Sequence, residues 1–240
     1  MAHILVVDDE KDLVWAVSSA LRYRGYTVSC AYDGVSALQQ MHSTLPDLLV
    51  LDIGMPDMDG LEVCQRVRSD PQLQMMPIVI LTARSEIHDK IIAYQSGADD
   101  YLTKPFDLRE LGERVRAVLR RCHRNGEEKN PLEPEVSVLR VGGLFLDIDT
   151  AIVETEVMRV RLTPIELDLL TYLMKHAGRI SSSETLLQNV WGYPPGTGDP
   201  ALVRWHIKNL RGKIEIDPAN PIYLSTIPRH GYTILAPIPT

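Results

Sequence analysis

Two rhythms of apolar residues run along this chain, and the switch between them divides it. In the first half, short continuous apolar runs at 4–7, 28–31, 48–51, 78–81 and 100–102 alternate with amphipathic stretches near 10–23, 35–43, 60–68, 86–96 and 107–121. Runs such as Leu48-Leu49-Val50-Leu51 suit strands buried on both faces. Strands alternating with helices predict a parallel sheet covered by helices on both sides, an α/β, doubly wound, flavodoxin-like domain of five strands.

Residues 123–135 are polar and contain two prolines and a glycine, the composition of a linker. Beyond it the pattern shortens. Alternating segments between about 138 and 162 predict a small antiparallel sheet. Three helix starts follow. Thr163-Pro164-Ile165-Glu166 reads as a capping box with proline at the first helical position, and Leu167, Leu170, Leu173 and Met174 form the stripe behind it. Ser181-Ser182-Ser183-Glu184 reads as a second capping box, leading to Leu187, Val190 and Trp191. Asp199-Pro200 opens a third helix with the stripe Val203, Ile207, Leu210 and Ile214. Segments 222–226 and 232–235 around Pro228-Arg229-His230-Gly231 read as a hairpin. This α+β plan, a helix pair followed by a basic helix and a hairpin, is that of a winged helix-turn-helix. The expected division is 1–122, linker 123–135, and 136–240.

Charge refines the picture. The formal net charge is −7, so a nucleic-acid contact needs a basic face rather than a basic domain. The third helix of the second half has one: Arg204, Lys208 and Arg211 recur at i, i+4 and i+7, with Lys213 close by and His206 and Asn209 flanking. Such a face suits the major groove of double-stranded DNA, where cations contact phosphates or read guanine edges. The three cysteines, widely spaced and without a C-x-x-C pattern, read as reduced apolar fillers. No run approaches the ~18 apolar residues of a membrane span, and 4–7 ends at once in Asp8-Asp9-Glu10, unlike a secretory signal. A cytoplasmic location without membrane contact is expected.

In an open parallel sheet, functional groups gather beyond the carboxyl ends of the strands. Those ends deliver Asp8 and Asp9 (strand 1), Asp52 (strand 3), Thr82 (strand 4) and Lys104 (strand 5). Converging carboxylates resist ionisation unless a cation is present, and a hard divalent ion with oxygen ligands resolves that repulsion. Asp52 is then placed as a nucleophile toward phosphorus, with Lys104 and the Thr82 hydroxyl on the transferred oxygens. An aspartate-nucleophile phosphatase is the rival reading, but such enzymes place a second acid two residues after the nucleophile, and here that residue is Gly54.

Val6-Val7-Asp8-Asp9-Glu10, Leu51 to Gly60, Leu81-Thr82-Ala83-Arg84 and Tyr101-Leu102-Thr103-Lys104-Pro105-Phe106 resemble the receiver domain of bacterial response regulators, over residues 3–121. The resemblance implies that Asp52 accepts phosphate from a sensor histidine kinase and that the chain is not a turnover enzyme. It implies Mg2+ or Mn2+ held by Asp9, Asp52 and the Gly54 carbonyl, with Asp8 acting through water. It also implies a cis Lys104–Pro105 bond and a switch of Thr82 and Tyr101.

Residues 136–236 resemble the effector domain of the OmpR/PhoB subfamily through Leu162 to Glu166, Val190-Trp191-Gly192, Val203 to Lys213 and Thr226 to Tyr232. That subfamily implies an activation homodimer whose face here comprises Lys90, Ile91, Tyr94, Asp99, Asp100, Glu110, Arg114 and Arg121. The implied pairs are Lys90–Glu110, Asp100–Arg114 and Asp99–Arg121, each occurring twice across a two-fold axis. Gly112 stands where the family has alanine. In the DNA-binding half Arg204 and Trp205 depart from the usual acid and small aliphatic. Trp205 either touches a thymine methyl or sugar, or packs against the neighbouring loop. Arg229 is the expected wing contact, and the loop 192–199 is implied to meet RNA polymerase. The alternative is a DNA-binding regulator that works without phosphate, under the control of partner proteins.

Overall fold

Strands β1 (His3–Val7), β2 (Thr27–Ala31), β3 (Leu48–Asp52), β4 (Ile78–Ala83) and β5 (Asp100–Lys104) lie parallel in the order β2-β1-β3-β4-β5. This is the doubly wound order whose switch point lies between β1 and β3, where crossovers leave toward opposite faces and open a crevice at the strand ends. The structure, a computed structural model, describes residues 1–83, 97–124 and 137–235. The chain forms two compact units, Met1–Glu127 and Glu128–Thr240.

Side chains alternate faces along a strand, and both faces of this sheet are covered. Ile4, Val6, Leu48, Val50, Val79, Leu81 and Leu102 pack with Val14, Val17 and Leu21 of α1 (Lys11–Tyr23) and with Leu111, Val115 and Val118 of α4 (Leu108–Arg124). The alternate positions Leu5, Val7, Leu49, Leu51 and Ile80 are fully buried as well. α2 (Gly34–Thr44) packs on β1 and β2, and α3 (Gly60–Ser69) packs on α2. Every residue of β3 is buried, as its unbroken apolar run predicts.

The expected strands all form, lengthened by one or two residues. α4 runs on through Arg124, past the expected domain limit at 122. The stretch expected as a helix at 86–96 lies outside the described residues, and so does most of the expected linker.

Gly112 of α4 lies under the side chain of Arg24. A methyl group there would fall on the guanidinium of Arg24, which crosses α4 at this point to reach Glu113 Oε1 at 2.7 Å and the Arg109 carbonyl at 3.3 Å. The helix gives up about 1 kcal/mol of propensity for a clasp between α1 and α4.

In the second unit, β6 (Val138–Val141), β7 (Leu144–Asp147), β8 (Ile152–Glu154) and β9 (Arg159–Arg161) form an antiparallel sheet in sequential order. Helix α5 (Pro164–Lys175) opens with the capping box of Thr163 and Glu166. Helix α6 (Ser183–Leu186) continues into a wider π-type turn, Leu187–Trp191, that ends at Gly192 with φ 74°. Its N-cap is Ser182, whose hydroxyl accepts from the Thr185 amide at 3.0 Å. The expected box starting at Ser181 is therefore one residue out of register, and Glu184 instead accepts from Gln188 and the Gly196 amide. Helix α7 (Pro200–Ile214) is capped by Asp199, and the hairpin β10 (Leu224–Ile227) and β11 (Gly231–Ile234) closes the unit.

Candidate functional site: an acidic crevice and a basic helix

The crevice is built from residues that end two strands, lie one short of the end of a third and follow a fourth. Asp52 ends β3, Thr82 lies in β4 and Lys104 ends β5; their strands are in register, with Asp52 paired to Leu81 and Thr82 to Thr103. Asp8 follows β1 directly and is fully buried. Lys104 Nζ donates to Asp8 Oδ2 at 2.7 Å and stands 2.9 Å from Asp52 Oδ1, with Glu10 Oε1 at 3.6 Å. The second oxygens are also engaged: Asp52 Oδ2 accepts from the Gly54 amide at 2.9 Å and Asp8 Oδ1 from the Glu10 amide at 2.9 Å. Asp9 is exposed at the mouth, and carboxylate oxygens of Asp8, Asp9 and Asp52 lie within 4.8 Å of one another. Thr82 and Tyr101 are buried, and the Lys104–Pro105 bond is cis.

Burial pushes the Asp52 carboxyl above the usual carboxylate range, and the Asp8 charge adds to the push; the Lys104 hydrogen bond and the Gly54 amide hold it back. For Lys104, burial pulls the ammonium down. Its hydrogen bonds to Asp8 and Asp52 and their charges outweigh burial, so its pKa lies above the ordinary value. One lysine facing three carboxylates leaves an excess of negative charge in a partly dry crevice, and the all-oxygen donor set suits a hard divalent cation.

Gly60 closes the Leu51–Gly60 segment, and its role emerges only in three dimensions. A Cβ on it would land on the backbone carbonyl of Asp52, and its amide donates to the Ile53 carbonyl at 3.1 Å. Helix α3 therefore starts against the backbone of Asp52. The loop between β3 and α3 turns through Asp57 at φ 65°, and Asp59 caps the helix through the Glu62 amide at 2.8 Å.

Four of the residues expected on the dimer face, Asp99, Asp100, Glu110 and Arg114, are engaged inside the unit. Asp99 is buried and accepts from Arg68 of α3 at 2.8 Å and from the Ile78 amide at 2.8 Å. Asp100, also buried, is met by Arg114 of the same chain at 3.0 Å, and Arg114 further binds Glu110 at 2.7 Å. Arg121 is half-buried on α4. Lys90, Ile91 and Tyr94 lie outside the described residues.

The basic helix α7 is narrower at its surface than its sequence implies. Leu202, Val203, Trp205, His206, Ile207, Leu210 and Ile214 are all buried. Arg204 and Lys208 are exposed, as is Arg229 at the wing tip. Four of the residues expected at the DNA face are buried or paired within the unit. Trp205, 8% exposed, packs inward with Lys208 Nζ 5.1 Å from its ring centroid, and His206, 2% exposed, lies tilted against Trp191 at 5.4 Å, so neither ring faces outward. Arg211 turns back to the hairpin, donating to the Leu224 carbonyl and the Thr226 hydroxyl, and Lys213 donates to Glu166 at 2.6 Å. Asn209 is half-buried. Among the described residues, no helix is long and apolar enough to cross a membrane.

An acidic crevice at the switch point of a β2-β1-β3-β4-β5 sheet, joined in one chain to a winged-helix unit, defines a response regulator with a DNA-binding effector. Comparison with known proteins agrees. Residues 4–116 match the response regulator receiver domain family, and residues 155–234 match the family described as transcriptional regulatory protein, C terminal. The chain is 42% identical over 237 residues to the alkaline phosphatase synthesis transcriptional regulatory protein PhoP of Bacillus subtilis, covering 98% of this chain and 97% of that protein. It is 36% identical to the sensory transduction protein RegX3 of Mycolicibacterium smegmatis, over 98% of this chain and 99% of that one. Among solved structures it resembles a RitR mutant, with 25% identity and TM-score 0.74, covering 98% of this chain and 100% of that one. It also resembles DrrB of Thermotoga maritima, an OmpR/PhoB homologue, with 30% identity, TM-score 0.51 and the same coverage. The chain belongs to the OmpR/PhoB-type response regulators: it is a DNA-binding transcription regulator of a two-component system.

Proposed function

We propose that Asp52 is the phosphoacceptor, that its phosphorylation by a sensor histidine kinase drives formation of a homodimer, and that the dimer binds promoter DNA through α7 and the wing. The observation that carries this reading is the Lys104 ammonium held between Asp8 and Asp52, with three carboxylates within 4.8 Å.

A carboxylate oxygen of Asp52 attacks phosphorus as the bond from phosphorus to the kinase histidine nitrogen breaks, giving an acyl phosphate. Lys104 balances charge on the incoming group, and the Thr82 hydroxyl donates to a phosphoryl oxygen. Asp8, Asp9, Asp52 and the Gly54 carbonyl would hold a divalent cation, Mg2+ by its preference for oxygen ligands. When bound, Mg2+ neutralises phosphoryl oxygens as charge shifts in the transfer. The step is stoichiometric self-modification, distinct from turnover of a free substrate.

We assign to Tyr101, buried in β5, the response to Thr82 shifting toward the phosphoryl group. Lys90, Ile91, Tyr94, Glu110 and Arg121 are assigned to the dimer face with Asp99, Asp100 and Arg114. Arg204 and Lys208 of α7 and Arg229 of the wing are assigned to DNA, the loop 192–199 to RNA polymerase, and the cytoplasm as the place of action.

Acetyl phosphate with Mg2+ tests the assignment. Intact mass should show one added phosphoryl group in the wild-type chain and none in Asp52→Ala, with elution shifting from monomer to dimer only in the former. Equal labelling of the variant refutes it.

A further inference from the structure

The carboxyl end of α7 and the start of the wing are laced together by two side chains one helical turn apart. Glu215, buried at the C-cap of α7, accepts three consecutive amides through its two oxygens: Ile222 at 2.8 Å, Tyr223 at 3.0 Å and Leu224 at 2.8 Å. One turn earlier Arg211 donates through Nε and Nη2 to the Leu224 carbonyl, at 2.9 and 2.7 Å, and through Nη2 to the Thr226 hydroxyl at 2.8 Å. The acid takes the amides leading into β10 and the guanidinium takes the next carbonyl, so the strand is held by both of its polar groups at Leu224. A guanidinium serves this role because its planar fork gives two parallel donors, which an ammonium cannot reproduce. The far side of the hairpin is fixed too: Tyr232 exchanges both backbone hydrogen bonds with Ser181, at 2.9 Å each, before α6.

The two groups assigned to DNA outside this clasp, Arg204 and Lys208 on α7 and Arg229 on the wing, thus sit on two elements whose separation the clasp sets. We infer that Arg211 is a positioning residue for DNA recognition, acting with Glu215 to hold the wing at the distance from α7 at which Arg229 and the helix engage one duplex together. This rests on the DNA-binding reading above. It differs from the ordinary role of a helix arginine, which is to touch phosphate directly.

The test uses the full chain treated with acetyl phosphate and Mg2+, and a duplex enriched by the wild-type chain from a random-sequence library. Affinity is measured by anisotropy over a range of salt for wild type, Arg211→Lys, Arg229→Ala and the double variant. Arg211→Lys keeps the charge and loses the fork, so it should weaken binding about tenfold. Arg229→Ala should then cost much less in the Arg211→Lys background than in wild type, because a wing released from α7 has already lost its contact. Additive losses, or wild-type affinity in Arg211→Lys, overturn the proposal and make residue 211 a simple cationic contact. Amide hydrogen exchange of the free protein gives a second reading that needs no DNA. Exchange in β10 and β11 should rise in both Arg211→Lys and the milder Thr226→Val, while α5 stays protected. Unchanged exchange in the hairpin overturns the clasp, whereas a wild-type chain that enriches no duplex overturns the DNA reading and leaves the exchange result to judge the clasp.

Discussion

Lys104 Nζ stands 2.9 Å from Asp52 Oδ1 in a crevice where both groups are largely withdrawn from water. The contact lowers the cost of the buried carboxylate without cancelling it, since the Asp52 carboxyl still lies above its usual range.

A pH dependence follows. A carboxyl with a folded-state pKa above the unfolded value stabilises the folded chain through its proton. That stabilisation is complete below the ordinary carboxylate pKa and is lost as pH rises through the elevated one. Asp52→Asn, uncharged at every pH, should therefore raise Tm at pH 7 in the absence of divalent ions, and the gain should shrink as pH falls through the acid range. Thermal melts from pH 4 to pH 8 check this. Adding Mg2+ should narrow the gap from the other side by stabilising wild type more than the variant.

Lys104→Ala removes the cation shared by Asp8 and Asp52 and leaves two buried acids facing each other. A loss of ~2–4 kcal/mol is expected in chelator, and Mg2+ should recover part of it. Denaturant titration with and without the ion measures both quantities. Equal stability of the two proteins in chelator would show that the lysine is not what holds the acids together.

Gly60→Ala places a methyl group on the Asp52 carbonyl, so α3 must retreat. A destabilisation of about 1–3 kcal/mol is expected, together with slower labelling by acetyl phosphate, because the shift moves the backbone of Asp52, the proposed acceptor.

On α7 the buried and exposed faces should separate by readout. Trp205→Ala removes a packed indole and should cost about 3–5 kcal/mol of unit stability. Arg204→Ala and Lys208→Ala should leave the melting transition in place while weakening DNA binding and reducing the salt slope by ~1 each. A Trp205→Ala chain that melts normally but selects a different duplex would place that ring on DNA after all.

Gly112→Ala should stabilise α4 only when Arg24 is also shortened. In wild type the new methyl displaces the guanidinium from Glu113 and offsets the ~1 kcal/mol gained in helix propensity. Melts of the two single variants and the double variant complete the cycle.

The crevice was legible in the sequence because each of its acids terminates an apolar run, and a parallel sheet sends all such ends to one edge. The inner face of α7 was less legible. Periodicity placed Val203, Ile207, Leu210 and Ile214 inside, but the helix is buried over a wider arc that also takes in Trp205 and His206. Charge pattern likewise cannot tell an arginine that reaches out from one that folds back. Arg211 and Lys213 look like Arg204 and Lys208 until β10 and Glu166 are in place. The same ambiguity hid Arg68, whose guanidinium gathers the carbonyls of Gly97, Gln74 and Met76 as well as Asp99.

That gathering has a thermodynamic corollary. Asp99 and Asp100 are adjacent at the head of β5, and each already has an arginine of its own chain, Arg68 from α3 and Arg114 from α4. A second molecule arriving with an arginine for either acid must compete with a resident one, so ion pairs are traded more than added. In the proposed dimer, association by such exchange would release little net free energy per contact, leaving phosphorylation of Asp52 to decide the balance.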